Sequence, residues 1–201
     1  MQMHRIFIAI NLPETIKEKL LDFQKSIFDL PVRWTKKENL HITLEFLGYL
    51  NNEELYKICE ATEKIASKHQ SFSLRIEKIS YGPPDKKPPR MIWAVVEKSK
   101  ELTCLQSDLK EALHRNLYFS DHKLLRKFKK EAKASSDDFS PHITLGRIKK
   151  FEWQRKEPEE IEDLEKEINL SFQVNSIEVM ESILKRKGPD YFVLKSCPLG
   201  S

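Results

Sequence analysis

His41-Ile42-Thr43-Leu44 and His142-Ile143-Thr144-Leu145 are one tetrapeptide written twice, in a chain of 201 residues that holds 6 histidines. A polar approach precedes each copy, Lys36-Lys37-Glu38-Asn39 before the first and Ser135-Ser136-Asp137-Asp138 before the second. Apolar residues and a glycine, Gly48 or Gly146, follow. Side chains alternate along a β-strand, so His41 and Thr43 share one face while Ile42 and Leu44 take the other. His142 and Thr144 divide from Ile143 and Leu145 in the same way. The apolar pair anchors each strand in a core, and the His/Thr pair is free for chemistry.

That chemistry is proton transfer beside an anion. Imidazole titrates near neutrality, and a threonine hydroxyl two residues on lies roughly 6.5 to 7 Å along the strand. Two such strands side by side bring two imidazoles and two hydroxyls around one phosphate. One ring can accept a proton while the other donates one, which phosphoester cleavage requires. A single copy would read as a half-buried strand with a His and a Thr on its wet side. An identical pair in matching contexts does not.

Composition narrows the setting. The chain is 39% hydrophobic and 33% charged, ordinary for a folded, water-facing protein. Lys+Arg 35 against Asp+Glu 31 leaves +4, compatible with a polyanionic partner but far from a histone-like charge. The three cysteines, Cys59, Cys104 and Cys197, lie far apart with no CxxC spacing. The run Ile6 to Ile10 is too short for a signal core, and nothing approaches a membrane span. The expectation is a soluble, cytoplasmic protein with reduced thiols, making no membrane contact.

Taken in order, Arg5 to Ile10 reads as a buried strand. Pro13 and Glu14 open a helix along Ile16, Leu20, Leu21, Ile27 and Phe28, closed by Pro31. Val32 to Trp34 is a short strand, and the first His/Thr strand spans about Leu40 to Leu47. Asn51 or Asn52 caps a second helix. Phe72, Leu74 and Ile76 alternate as a strand, and Tyr81 to Arg90, with four prolines and one glycine, is a loop. Met91 to Val96 repeats the opening strand's character, and Ser99 caps a helix along Leu102, Leu105, Leu109, Ala112 and Leu113. The order strand, helix, loop, His/Thr strand thus recurs, as an internal duplication about a pseudo-two-fold axis would produce. Glu159 to Ile168 reads as a short acidic helix after a basic turn at Lys149-Lys150. Strands around Phe172–Val174, Ile177–Met180 and Tyr191–Leu194 follow, the last two turned by Lys185 to Asp190. Mixed elements with mainly antiparallel pairing give an α+β fold.

These residues resemble the 2H phosphoesterase superfamily, which is defined by paired H-x-T-φ motifs (φ apolar). They are most similar to its bacterial and archaeal branch of RNA 2′,3′-cyclic phosphodiesterases, also called 2′-5′ RNA ligase-like proteins. The likeness covers the whole chain. It runs from Arg5–Ile10 with Pro13, through His41–Gly48, Pro89–Trp93 and Ser140–Arg147, to Met180-Glu181-Ser182 and Gly188–Tyr191. The resemblance implies a bilobal α+β fold, one domain over residues 1–201 with two intertwined lobes, one motif each, around a central cleft. It implies hydrolysis of RNA 2′,3′-cyclic phosphate ends to 2′-phosphomonoesters, a weaker reverse 2′-5′ ligation, and no metal or other cofactor. His41 is then the proton donor to the departing 3′ oxygen and His142 the acceptor from water, with the roles exchanged in reverse. Thr43 and Thr144 hold the non-bridging oxygens.

The resemblance further implies Arg147 as a phosphate or RNA contact. An offset of five from His142 puts it on the wrong strand face unless Gly146 permits a bulge. Arg90 is a second candidate for substrate binding; its bland alternative is an exposed loop cation. Phe46, Trp34 and Trp93 suit base stacking, but a core role is the stronger expectation for each. The expected partner is RNA ending in a 2′,3′-cyclic phosphate or 2′-phosphate, tRNA-like fragments included, acted on by a monomer. The stretch from 121 to 136, with Lys123, Arg126, Lys127, Lys129, Lys130 and Lys133, is longer than usual for the branch. It reads as a solvated face, with an RNA-tracking flap as the alternative. A zinc site is disfavoured because threonine is a poor ligand and no HExxH or CxxC is present. A non-catalytic RNA-end binder, and a phosphodiesterase for another cyclic or 2′-5′-linked nucleotide, stay open at this point.

Overall fold

The computed structural model describes residues 2–27, 30–118, 139–157, 163–186 and 188–200. The lysine-rich stretch singled out in the sequence lies outside them. The elements run β1 (His4–Asn11), α1 (Glu14–Ser26), β2 (Val32–Trp34), a one-turn 3-10 helix (Lys37–Asn39), β3 (His41–Leu50), α2 (Asn52–Ala66), β4 (Phe72–Gly82) and β5 (Met91–Val96). They continue with α3 (Lys100–Tyr118), β6 (His142–Ile148), α4 (Lys150–Trp153), β7 (Lys166–Val174), β8 (Ser176–Lys185) and β9 (Gly188–Pro198).

Local chemistry accounts for most of these bounds. Asn51 closes a capping box on α2: its side chain accepts from the Glu54 N–H at 3.0 Å while Glu54 accepts from the Asn51 N–H at 2.8 Å. Ser99 Oγ accepts from the Leu102 N–H at 3.1 Å at the start of α3. Leu102, Leu105, Leu109 and Leu113, spaced to share one helical face, are fully buried. The acidic helix expected over Glu159 to Ile168 falls in part, at 159–162, outside the described residues, and its last three residues instead belong to β7, paired with β4 from Phe72↔Val174 to Ile79↔Lys166. Ile168 fits a helical stripe with Leu164, but it also fits the alternation Ile168, Leu170, Phe172, Val174, and pairing with β4 selects the second. The expected basic turn after Ile148 is instead the single helical turn of α4.

The strands order as β7-β4-β5-β6-β3-β1-β8-β9, every neighbouring pair antiparallel, with β2 on β6. The fold is α+β and bilobal. One lobe holds β7-β4-β5-β6 and the second motif; the other holds β3-β1-β8-β9 and the first. The lobes exchange strands: β2, from before the first motif, pairs with β6, whereas β8 and β9 come after the second motif and return to β1. A seam joins the lobes at one registered pair, Ile42↔Ile143, both fully buried. On either side of that pair β3 and β6 diverge. Among the described residues, no helix is long and apolar enough to cross a membrane.

Candidate active site

The seam sets the site. Ile42 opposite Ile143 brings the starts of the two antiparallel strands together, so His41 and Thr43 flank the junction on β3 and His142 and Thr144 flank it on β6. All four side chains line one cavity of about 330 Å³, shared with Asn39, Phe46, Trp93, Arg147 and Tyr191. The tetrapeptides from both halves of the chain thus converge on one space.

Both rings are held by the same device. His41 Nδ1 lies 2.7 Å from the Asn39 carbonyl oxygen and His142 Nδ1 lies 2.8 Å from that of Ser140. A carbonyl only accepts, so each Nδ1 carries the hydrogen and each neutral Nε2 presents its lone pair. Thr43 Oγ1, 3.0 Å from His41 Nε2, donates to it in that state. Asn39 is itself buried and fixed by Nδ2, which donates to the Pro189 carbonyl at 2.8 Å.

The surroundings differ. His41 sits between Phe7 and Tyr191, centroids 5.1 and 5.2 Å away. Burial pushes its pKa down to about 4, helped by repulsion from His142 and Lys17 and opposed by the Asn39 carbonyl. His142 stacks on Trp93 with centroids 3.8 Å apart and planes 18° from parallel. Burial lowers its pKa too, against the Ser140 carbonyl. Both rings are neutral at pH 7 in the free cleft, and an arriving phosphate would favour a proton on either.

The strand bulges matter as much as the motifs. Along β5 and β6, Ile92 pairs with Gly146 and Trp93 with Thr144, so Leu145 is an extra residue. Alternation restarts beyond it, and Arg147 lines the cavity with His142 and Thr144. Two donors clamp this bulge: the Leu145 carbonyl accepts from the Thr35 N–H at 2.8 Å and from Gln24 Nε2 at 2.9 Å. Glycine is needed next, since a Cβ at Gly146 would lie 2.3 Å from Val32 Cγ1 and 2.9 Å from the Trp34 ring. β3 carries the matching bulge. Ile8 pairs with Glu45 and Ala9 with Thr43, leaving Leu44 extra, three residues after its histidine as Leu145 is after His142.

That second bulge corrects the expectation for Phe46. Instead of joining the core, Phe46 turns into the cleft and is 65% exposed. Trp34 is partly buried on the cavity wall. Trp93 is buried as expected, in a slot that Gly82 leaves open, but it spends one face on His142. Arg90 is exposed and outside the cavity lining; its backbone pairs with Gly82 and Ile148. Several lining residues were not among the sequence candidates, Arg33, Lys36, Asn39 and Tyr191 among them. Asn39 had a signal in its place two residues before His41. The others had none, because tertiary contacts bring them in. Among the described residues, the group able to share a metal ion is His69, Cys104 and Asp108, and none of them lines this cavity.

Comparison with known proteins gives a consistent picture. The family described as LigT like Phosphoesterase matches residues 10–93 and 97–191. A protein of Archaeoglobus fulgidus named RNA 2′,3′-cyclic phosphodiesterase is 31% identical, over 93% of this chain and 96% of its own. A protein of the same name from Methanocaldococcus jannaschii is 31% identical, over 95% and 98%. A solved structure from Thermus thermophilus superposes with a TM-score of 0.79 at 26% identity, covering 97% of each chain. The apo structure of E. coli LigT, at 21% identity and a TM-score of 0.75 over 100% of both chains, shares the fold.

Proposed function

The chain belongs to the LigT like phosphoesterase family, and from that premise we propose that it hydrolyses RNA 2′,3′-cyclic phosphate ends to 2′-phosphomonoesters. The observation that carries this reading is that both imidazoles, each with Nδ1 tied to a carbonyl, face one cavity together with both threonines. His142 Nε2 takes a proton from water as its oxygen attacks phosphorus. The P–O3′ bond breaks opposite the incoming oxygen, and His41 Nε2–H protonates the departing 3′ oxygen. Thr43 and Thr144 donate to the non-bridging oxygens as charge builds on the phosphorane. Arg147 holds the phosphate or the adjoining RNA backbone, and Arg90 stands outside this arrangement. The same groups with donor and acceptor exchanged run 2′-5′ ligation. Residues 1–201 act as one unit and a monomer, with RNA as partner. The cleft's donor set, two imidazoles and two hydroxyls, suits proton transfer better than metal ligation.

The free cleft sets a condition on this assignment. His41 gains a proton only near pH 4 when the cleft is empty, so its donor role depends on the substrate's negative charge arriving first. The test is incubation of the purified protein, with EDTA present, with nucleoside 2′,3′-cyclic phosphates and a short RNA ending in one. A 2′-phosphate product is expected. A substrate with sulfur in place of the 3′ bridging oxygen assigns the roles, because a thiolate leaves without protonation. It should restore His41→Ala and leave His142→Ala inactive; the opposite pattern exchanges donor and acceptor.

A further inference from the structure

Away from the cleft, one cluster among the described residues mixes nitrogen, sulfur and oxygen donors. Cys104 and Asp108 lie four residues apart on α3, so one face of the helix carries both. His69 comes from the turn that follows α2. His69 Nε2 donates to Asp108 Oδ2 at 3.0 Å, and Cys104 Sγ lies 4.0 Å from the same oxygen. One donor atom from each of the three residues falls within 4.8 Å of the other two. The turn is fixed on both sides. The His69 N–H donates to the Ala66 carbonyl at 3.1 Å, and the His69 carbonyl accepts from the Gly200 N–H at 2.7 Å. The His69 ring is largely covered, whereas Cys104 and Asp108 face solvent.

A tetrahedral zinc ion holds its ligands at about 2.0–2.3 Å, which sets the donor atoms about 3.4–3.6 Å from one another. The separations here straddle that value, and the widest has to close by about 1 Å. Rotation of the exposed Cys104 side chain supplies a movement of that size. A hydrogen bond between His69 and Asp108 would tie the turn to α3 without any thiol, so the sulfur is the feature that such a link leaves unused. Glu101, one turn before Cys104, lines the same groove and adds negative charge, with Lys68 and Lys100 on the groove's walls opposing it. One imidazole, one thiolate and one carboxylate suit a borderline-soft ion, not magnesium or calcium, which take oxygen ligands. We propose that His69, Cys104 and Asp108 bind a zinc ion, with water in the fourth position, which staples the turn after α2 to α3. On binding, the Cys104 S–H bond breaks as the S–Zn bond forms, and the proton passes to solvent. His69 offers the Nε2 lone pair with its hydrogen moved to Nδ1, and Asp108 coordinates through Oδ2. None of these ligands lines the catalytic cavity, so hydrolysis there proceeds without the ion.

The experiment titrates the metal-free protein with Co²⁺, a spectroscopic stand-in, and then with Zn²⁺ in competition. Wild type should take up one Co²⁺ with the visible bands of a four-coordinate ion and a thiolate-to-cobalt charge-transfer band in the near ultraviolet, and Zn²⁺ should displace it. Cys104→Ser should lose the charge-transfer band. Cys104→Ser, His69→Gln and Asp108→Asn should each weaken Zn²⁺ binding by more than about a hundredfold, the upper end for a partner outside the ligand set. Cys59→Ser should bind as wild type does. Zn²⁺ should raise the melting temperature of wild type but not of Cys104→Ser, and Mg²⁺ should move neither. Without metal, Cys104→Ser should match wild type in melting temperature and in hydrolysis of a cyclic phosphate, so its loss of binding is not a loss of fold. Absence of the charge-transfer band in wild type, its survival in Cys104→Ser, or Zn²⁺ binding that is lost in His142→Ala instead would overturn the proposal and leave the hydrolytic reading in place.

Discussion

The two halves of the cleft share a tetrapeptide, a carbonyl-anchored imidazole and a bulge three residues after the histidine, yet they are not copies. The His41 half is deeper and aromatic: Phe7 and Tyr191 enclose the ring, and the bulge delivers Phe46. The His142 half carries a stacked indole, and the equivalent bulge delivers Arg147. Shared features bring two imidazoles into one cavity. Differences give the site a direction, because a symmetric cleft would accept a phosphate equally well either way round. The first-motif half of the cleft carries aromatic rings and the second-motif half a pair of arginines.

The largest expected effect comes from removing either histidine. His41→Ala and His142→Ala should each lower kcat on the order of 10²–10⁴-fold, the usual span for a general acid or base. Full activity in either variant, measured by product release from a cyclic-phosphate RNA, would break the pairing of the two halves.

Next comes the acid stability of the deeper half. The folded-state pKa of His41 is about 4, against 6.5 for the free side chain. The unfolded chain therefore binds more protons between these values. The contribution is complete above about pH 6.5 and is lost as pH falls toward 4, amounting to about 3 kcal/mol at most at pH 4. Melting temperature should drop across that window, and by less in His41→Gln, which has no ring to protonate. His142 is also lowered and should contribute a drop of the same sign. Inorganic phosphate, by favouring the charged rings, should flatten the curve.

A smaller effect tests the aromatic end. Phe46→Ala should raise KM about tenfold if a base stacks there, since such stacking contributes about 1–3 kcal/mol. Because 65% of Phe46 is exposed, the melting temperature should barely move. A lost melting temperature with an unchanged KM would return Phe46 to a structural role.

The smallest effect concerns the clamp on the second bulge. Gln24 is buried and donates through one nitrogen to the carbonyls of Leu145 and Thr35. Gln24→Leu leaves the Thr35 N–H on Leu145 and should cost about 1 kcal/mol of stability. It should raise KM severalfold by loosening the aim of Arg147. In an Arg147→Ala background it should add almost nothing to KM, because the two changes remove one interaction. Additive losses would detach Gln24 from the site.

Much of this could be read from residue order. Period-two and helical stripes placed β1, β3 and α3, and two asparagines, Asn51 and Asn52, marked the start of α2, of which the fold uses Asn51 as the cap. The misreadings share a cause. Ile168 satisfied two periodicities, and only the presence of β4 beside it chose between them. Phe46 was counted on a strand without a bulge, and one extra residue at Leu44 reversed its face. The bulge at Gly146 was foreseen because a named residue needed it; the one at Leu44 had no glycine to mark it.

By itself, the order of residues determined the chemistry available: two imidazoles and two hydroxyls, each pair on a strand whose other face is apolar. That much follows from side-chain alternation, which is local. Only the folded chain decided that the pairs meet, because Ile42 and Ile143 come into register through a sheet whose lobes exchange strands. It also decided where Arg33 and Phe46 point, since bulges and cross-strand partners are set by packing between segments far apart in sequence.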